Sequence, residues 1–208
     1  MKSSRRILID PIAKDIARNH FGLPDCLHVP VAARDEKAIE DNIGAIIRPL
    51  GRGPPANAYL IEAYTSATID TRLPIWDNPT SAILHQTNQV WVAVKYTRYR
   101  AAYKKAFPRD NIDGLVLSHS LNRRVAALKG FLYVRVTPTS RGANSSSAFS
   151  EQMSLDHHSE DRRKNRNKQS QAAIQYADLM DLMLMMDIKL GGGVQNIANE
   201  SQALIKPV

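Results

Sequence analysis

The sequence contains a single cysteine, Cys26, among its 208 residues. It cannot form an intrachain disulfide or a zinc site built on several thiolates, which excludes a disulfide-rich secreted scaffold. No run of about 18 apolar residues occurs, so we expect no transmembrane helix. Asp10, Pro11, Lys14 and Asp15 interrupt the stretch that follows the basic N-terminus, so we expect no signal peptide. These absences predict a soluble protein of a reducing compartment, which we take to be the cytoplasm.

Several catalytic motifs are also missing. The sequence has no GxxxxGK[ST] phosphate loop, no HExxH zinc motif and no GxSxG nucleophile elbow. The glycines at 191–193 follow a predicted helix, so they are interpreted as a helix cap and not as a dinucleotide loop. Cys26 and His28 could share one face of a strand, but nothing else around them indicates a thiol nucleophile. The common classes of nucleotide hydrolase, zinc protease and serine hydrolase are therefore disfavoured.

Positive charge is concentrated in one part of the chain. The formal net charge is +8 and the isoelectric point is near 9.7. Residues 1–94 carry 10 basic and 10 acidic side chains, whereas residues 95–141 carry 11 basic and 2 acidic ones. A second basic cluster lies within residues 162–168, where a solvated helix face is an equally good explanation. The excess over 95–141 favours a polyanionic partner, most simply nucleic acid, because each Lys or Arg that meets a phosphate releases counterions.

Hydrophobic periodicity predicts an α+β protein with three regions. These are a mostly helical N-terminal region (1–88), a basic core (89–150) and a helical C-terminal region (151–208). Residues 70–88 are predicted to be an irregular connection at the first boundary. The predicted helices cover 10–20, 34–48, 56–66, 96–107, 161–189 and 194–205, and the predicted strands cover 89–95, 112–117 and 131–136.

The second half of the predicted 161–189 helix carries a methionine-rich apolar stripe that includes Met180, Met183 and Met186. Such stripes are usually adaptable core, or a surface for another chain. We therefore expect residues 172–188 to be buried or to dock a second copy or another protein. Asp178 and Asp181, three residues apart, are more often solvated carboxylates than metal ligands.

The segment 112–147, IDGLVLSHSLNRRVAALKGFLYVRVTPTSRGANSSS, has a distinctive order. A predicted strand ends at Ser118-His119, a second strand follows over 131–136 and ends at Pro138, and a turn over 139–147 then leads into a helix capped by Ser140 or Asn144. This order resembles the HNH, or ββα-metal, nucleases. The resemblance covers about 35 residues, and it implies a small antiparallel hairpin plus helix as the core, surrounded by helices.

The resemblance implies particular roles for the residues of this segment. His119 would be the general base, and Asn122 is the nearest Asn to the family's base-orienting residue. Asn144, with His158, would hold Mg²⁺ or a similar divalent ion, and Ser118 stands where the family commonly has a metal-binding Asp. Apart from the resemblance, the basic residues of the segment could clamp the phosphates: Lys104, Lys105, Arg123, Arg124 and Arg141.

The chemistry agrees with these roles. Phosphodiester hydrolysis needs a base that works near neutral pH, a cation on the scissile phosphate and donors that clamp the backbone. The sequence therefore predicts a metal-dependent endonuclease, with DNA as the favoured substrate. Two alternatives stay open: a non-catalytic basic nucleic-acid-binding protein, and a helical protein that docks a partner through residues 172–188.

Overall fold

The computed structural model describes residues 29–64, 87–146 and 172–177, together with residues 181, 184, 185 and 187. These parts of the chain form one antiparallel sheet and four helices. The strands are β1 (Pro30–Ala33), β2 (Gly44–Pro49), β3 (Ala58–Ala63), β4 (Asn88–Ala93), β5 (Val116–His119), β6 (Tyr133–Thr139) and β7 (Ile174–Tyr176). The helices are α1 (Glu36–Asn42), α2 (Tyr99–Ala106), α3 (Arg123–Lys129) and α4 (Arg141–Ser146). Within them, no helix is long and apolar enough to cross a membrane.

The sheet runs in the order β2-β3-β4-β6-β1-β7, and β5 pairs with the second half of β6. Every strand pair is antiparallel. Strand β6 therefore has β4 on one side and β1 followed by β5 on the other. Its register places Val136 beside both Val90 of β4 and His119 of β5.

Helices cover both faces of the sheet. Because side chains alternate along a strand, Val90 and Val92 of β4 point to one face and Trp91 points to the other. Val90 and Val92 pack with residues of α2 and α3, whereas Trp91 packs with residues of α1. The two faces are called here the α2 face and the α1 face. The predicted α+β class is confirmed, and the predicted valine alternation along β4 lies on the α2 face.

The N-terminal part contains more strand than the sequence predicts. The predicted helix over 34–48 is correct only for α1, since β2 begins at Gly44. A Cβ at Gly44 would lie 2.2 Å from the Glu62 carbonyl oxygen, so the close approach of β3 requires glycine there. The predicted helix over 56–66 is wrong, because Ala58–Ala63 form β3 between β2 and β4. Short apolar runs of this kind do not separate helix from buried strand by periodicity.

Two further predictions are wrong in detail. The sequence predicts that Pro138 ends the strand, but β6 continues through Pro138 to Thr139. Proline is tolerated here because the N–H that it lacks would face β4, and β6 pairs with β4 only as far as Val136. Residues 174–176, predicted as helix within 161–189, form β7 on β1. The predicted helices over 10–20 and 194–205, nearly all of the 70–88 connection, and the side chains of Met180, Met183 and Met186 lie outside the described residues.

Substitutions at two isoleucines, one buried and one exposed, test which side chains contribute to the stability of the sheet. Ile61 of β3 is 0% exposed and Ile47 of β2 is 50% exposed. We expect Ile61→Ala to lower the free energy of unfolding by about 2–5 kcal/mol, because it removes buried apolar surface and leaves a cavity. The control Ile47→Ala should change it by less than about 0.5 kcal/mol. Equal losses in urea denaturation would contradict the assigned α1-face core.

Candidate nucleic-acid interface

Helix α2 separates its apolar and basic residues by helical spacing. Ala102 and Tyr103 are buried, whereas Arg100, Lys104 and Lys105 are exposed. Residues four apart lie on the same side of a helix, so Arg100 and Lys104 share one outer side. Lys104 and Lys105 also lie in the last turn, where positive charge stabilises the helix dipole. The helix thus presents a cationic strip to solvent along its length.

The strip is extended at the N-terminal end of α2 by the start of α3. The Arg123 guanidinium carbon lies 6.0 Å from the centre of the Tyr99 ring, at the outer limit of a cation–π contact. Tyr99 is the first residue of α2, and the exposed Arg98 precedes it. Arg124, also exposed, follows Arg123. The start of α3 therefore places Arg123 beside the first turn of α2.

At the C-terminal end of α2, strand β2 contributes a further cation, Arg48. The charge distribution along the sequence does not point to this residue. Arg48 of β2 donates from Nη2 to the Lys105 carbonyl oxygen at 2.9 Å. Arg48 belongs to the electrically neutral half of the sequence, so only the fold places it here. Together these cations form the α2 cation surface, which consists of Arg48, Arg98, Arg100, Lys104, Lys105, Arg123 and Arg124.

Within the described residues, no carboxylate pairs with the cations of this surface. Arg98, Lys104, Lys105 and Arg124 make no side-chain hydrogen bond or ion pair within the described residues. The Arg100 guanidinium donates to the carbonyl oxygens of Ile112 and Leu115 at 3.1 Å, which orients it without neutralising it. Positive charge that is exposed and not neutralised locally is what a phosphate backbone requires.

The other basic residues of the segment are placed differently. Arg135 of β6 is 0% exposed, so the local charge of the sequence overstates the charge at the surface. Arg141 is exposed at the start of α4. The aromatic residues along α2 belong to the core, as their spacing indicates: Tyr103 is buried, and Tyr96, Tyr99 and Phe107 pack against the same cluster.

His119 lies at the end of β5, close to the α2 cation surface. Its ring packs edge-on against Tyr99 with 4.6 Å between ring centres. Its Nε2 atom is shielded from solvent and has no hydrogen-bond partner within the described part of the chain. Burial, and to a lesser degree the positive charge of Arg123, lower the pKa of His119 to about 4. The ring is therefore neutral at pH 7 and a weak base.

The structure brings together only part of the predicted catalytic set. Ser118 and His119 are neighbours on β5, so they point to opposite faces of the sheet, with Ser118 beside Thr137 and His119 beside Val136. Asn122 is the N-cap of α3, and its Oδ1 accepts from the Arg124 amide at 2.8 Å.

Asn144 lies in the middle of α4, whose first turn is capped by the Ser140 hydroxyl, one of the two caps predicted. This helix packs against β5, but the chain enters it beside Val116, three residues before His119. His158 lies outside the described residues. Within those residues, no three His, Cys, Asp or Glu side chains form a group that could hold a metal ion.

Comparisons of the chain with protein-family models, with curated proteins and with solved structures found no match.

The depressed pKa of His119 predicts a pH dependence of stability. Above about pH 6.5 the ring is neutral in both states and contributes no pH dependence. As the pH falls from 6.5 towards 4 the unfolded chain binds a proton that the folded chain does not, so stability is lost. Between pH 7 and pH 5 this loss should be roughly 2 kcal/mol, and it should disappear in His119→Gln. An NMR titration that gives His119 an ordinary pKa near 6.5 would contradict its burial.

Proposed function

We propose that this protein binds nucleic acid through the α2 cation surface. The observation that carries the proposal is the convergence of cations from three separate segments around one helix. The contact of Arg48 with the Lys105 carbonyl and the approach of Arg123 to Tyr99 mark its two ends. A fold that only needed charge for solubility would not have to bring these segments together.

The size of the surface suits a backbone of regularly spaced phosphates. Helix α2 has eight residues and is therefore about 12 Å long. Duplex DNA presents one phosphate per strand for about every 3.4 Å of its axis, so the helix spans about four phosphates of one strand. The contacts would be made by flexible side-chain cations and not by a recessed pocket. We therefore expect binding with little sequence preference.

The salt dependence of binding tests the proposal. In the variant Lys104→Gln, Lys105→Gln, Arg123→Gln, Arg124→Gln, the slope of log K against log salt should become shallower by about 3–4 for duplex DNA, because up to four phosphate contacts are lost. Fluorescence anisotropy across a salt series measures this slope.

The matched control is Lys37→Gln, which removes one exposed cation that pairs with Asp41 on α1. It should leave both the affinity and the slope unchanged. If the four-residue variant kept the wild-type slope, the α2 cation surface would not be the binding site.

Metal-dependent cleavage of the bound nucleic acid is a second candidate, favoured by one specific observation. Strand β5, with His119 at its end, pairs antiparallel with β6, and β6 is followed directly by α4. This matches the strand–strand–helix order of the nucleases that the sequence resembles, except that helix α3 lies between the two strands. His119 is also next to the proposed phosphate-binding arginine Arg123. Against it stand the lowered pKa of His119 and the opposite orientation of Ser118.

Incubation of plasmid DNA and total RNA with Mg²⁺, with Mn²⁺ and with EDTA separates the two candidates. If the chain is a nuclease, cleavage should require the metal, and His119→Ala should abolish cleavage while preserving binding, since affinity comes mainly from Lys and Arg contacts. Asn144→Ala should weaken metal dependence less sharply, because an amide oxygen is a modest ligand. Wild-type protein that binds but cuts neither substrate under any metal would exclude the nuclease.

A further inference from the structure

The cations of the α2 cation surface fall into two groups, one at each end of helix α2. The N-terminal group combines the N-cap of α2 with the start of α3 and consists of Arg98, Arg123 and Arg124. The C-terminal group combines the last turn of α2 with strand β2 and consists of Lys104, Lys105 and Arg48. Each group therefore needs two separate segments of the chain to form.

The middle of the outer side of α2 is uncharged. Ala101 is exposed there. Residues three and four apart lie on the same side of a helix, so Ala101 has Arg98 one turn before it. By the same spacing, Lys104 and Lys105 lie one turn after it. The outer side of the helix is thus a methyl group between two sets of cations.

Arg100 does not bridge the two groups. Its guanidinium donates to the carbonyl oxygens of Ile112 and Leu115 at 3.1 Å, so it is held against the loop that precedes β5. Because Ala101 has no side-chain atom beyond Cβ, the backbone of α2 can approach a ligand closely at this point.

The tyrosines beside the surface are turned inward. Tyr103 is buried in the core of the α2 face, and Tyr96 and Tyr99 pack against the same core. Proteins that bind single strands without sequence preference present rings on which unpaired bases stack. Rings that pack into the core leave the cations to make the contacts, which favours a duplex, whose bases already stack on one another.

The separation of the two groups matches a groove of duplex DNA. Helix α2 has eight residues and spans about 12 Å, and the major groove of B-form DNA is about 12 Å wide and admits an α-helix. A helix that followed one strand would meet a phosphate at roughly every 3.4 Å, including beside the uncharged Ala101. A helix that crosses the groove meets phosphates only at its two ends, where the two groups lie.

We propose that α2 crosses the major groove of duplex DNA, with the N-terminal group on the phosphates of one strand and the C-terminal group on those of the other. This rests on the proposed binding of nucleic acid and adds its substrate class. Ala101 then faces the base edges, where one methyl group does little to distinguish base pairs. Duplex RNA fits poorly, because its major groove is deep and narrow.

Fluorescence anisotropy tests the proposal with a short DNA duplex, an RNA duplex of the same sequence and length, and one separated DNA strand. At equal salt, the full chain should bind the DNA duplex at least about tenfold more tightly than either alternative, because only the B-form groove engages both groups. Methyl green, a dication that occupies the major groove, should displace the protein. Netropsin, a dication that occupies the minor groove, should not.

Removal of either group tests the bridging of two strands. Arg98→Gln, Arg124→Gln and, separately, Lys104→Gln, Lys105→Gln should each weaken binding to DNA. Each should also reduce the preference for DNA over RNA to about twofold or less, since the remaining group contacts one strand alone. The control Lys37→Gln, on α1, should keep the wild-type preference.

The outcomes separate this inference from the proposed function. Binding to the RNA duplex or the single strand as tight as to the DNA duplex would overturn the crossing of the groove while leaving nucleic-acid binding in place. Displacement by netropsin and not by methyl green would do the same. Absence of binding to all three nucleic acids at low salt would overturn both.

Discussion

Strand β6 is the constraint on which the rest of the structure depends. All but one of its seven residues are buried, and it pairs with three other strands. Because it lies between β4 and β1 and then beside β5, its register fixes which residues of distant segments meet. A shift by one residue would exchange the two faces, burying apolar side chains against polar ones. The placement of His119 beside the α2 cation surface follows from this one register.

Side chains alternate along β5 and β6, so the polar residues of these strands lie on a different face of the sheet from His119. His119 and Val136 point to the α2 face, where the basic helices α2 and α3 pack. Ser118, Arg135 and Thr137 point to the α1 face, where the polar side chains are enclosed. The basic segment 95–141 therefore divides into exposed cations, which suit a long polyanion, and one enclosed guanidinium, that of Arg135. Net charge along the sequence does not distinguish these environments.

Part of the fold could be predicted from local pattern. The valines of β4, the apolar side of α2, and the turn into α4 with its Ser140 cap all have short-range signals. What could not be predicted depends on tertiary pairing. Ile174–Tyr176 is predicted as helix from the sequence but forms a strand because it pairs with the edge of β1. The helix predicted over 34–48 ends before Gly44, the first residue of β2, where β3 approaches too closely for any side chain.

The residues of the candidate site also divide into those that the sequence predicts and those that only the fold reveals. Lys104, Lys105, Arg123 and Arg124 follow from the charge count, but Arg48 could not be found that way, since its neighbours in the sequence are neutral overall. The two strands and the following helix around His119 could be predicted from the sequence, whereas the intervening helix α3 and the burial that lowers the pKa of His119 could not. Asn122, assigned to the catalytic set by resemblance, has a local role as a helix cap that its position before RRVAALK also permits.

The central claim is that the α2 cation surface contacts nucleic acid, and amide NMR mapping tests it most directly. Titration of ¹⁵N-labelled protein with a short DNA duplex should shift the amide signals of Arg98 to Lys105, of Arg48, and of Arg123 and Arg124. The amides of α1 and β7, on the other side and the far edge of the sheet, should be unchanged. Shifts concentrated in α1 or β7, or no shifts at all at low salt, would contradict the account.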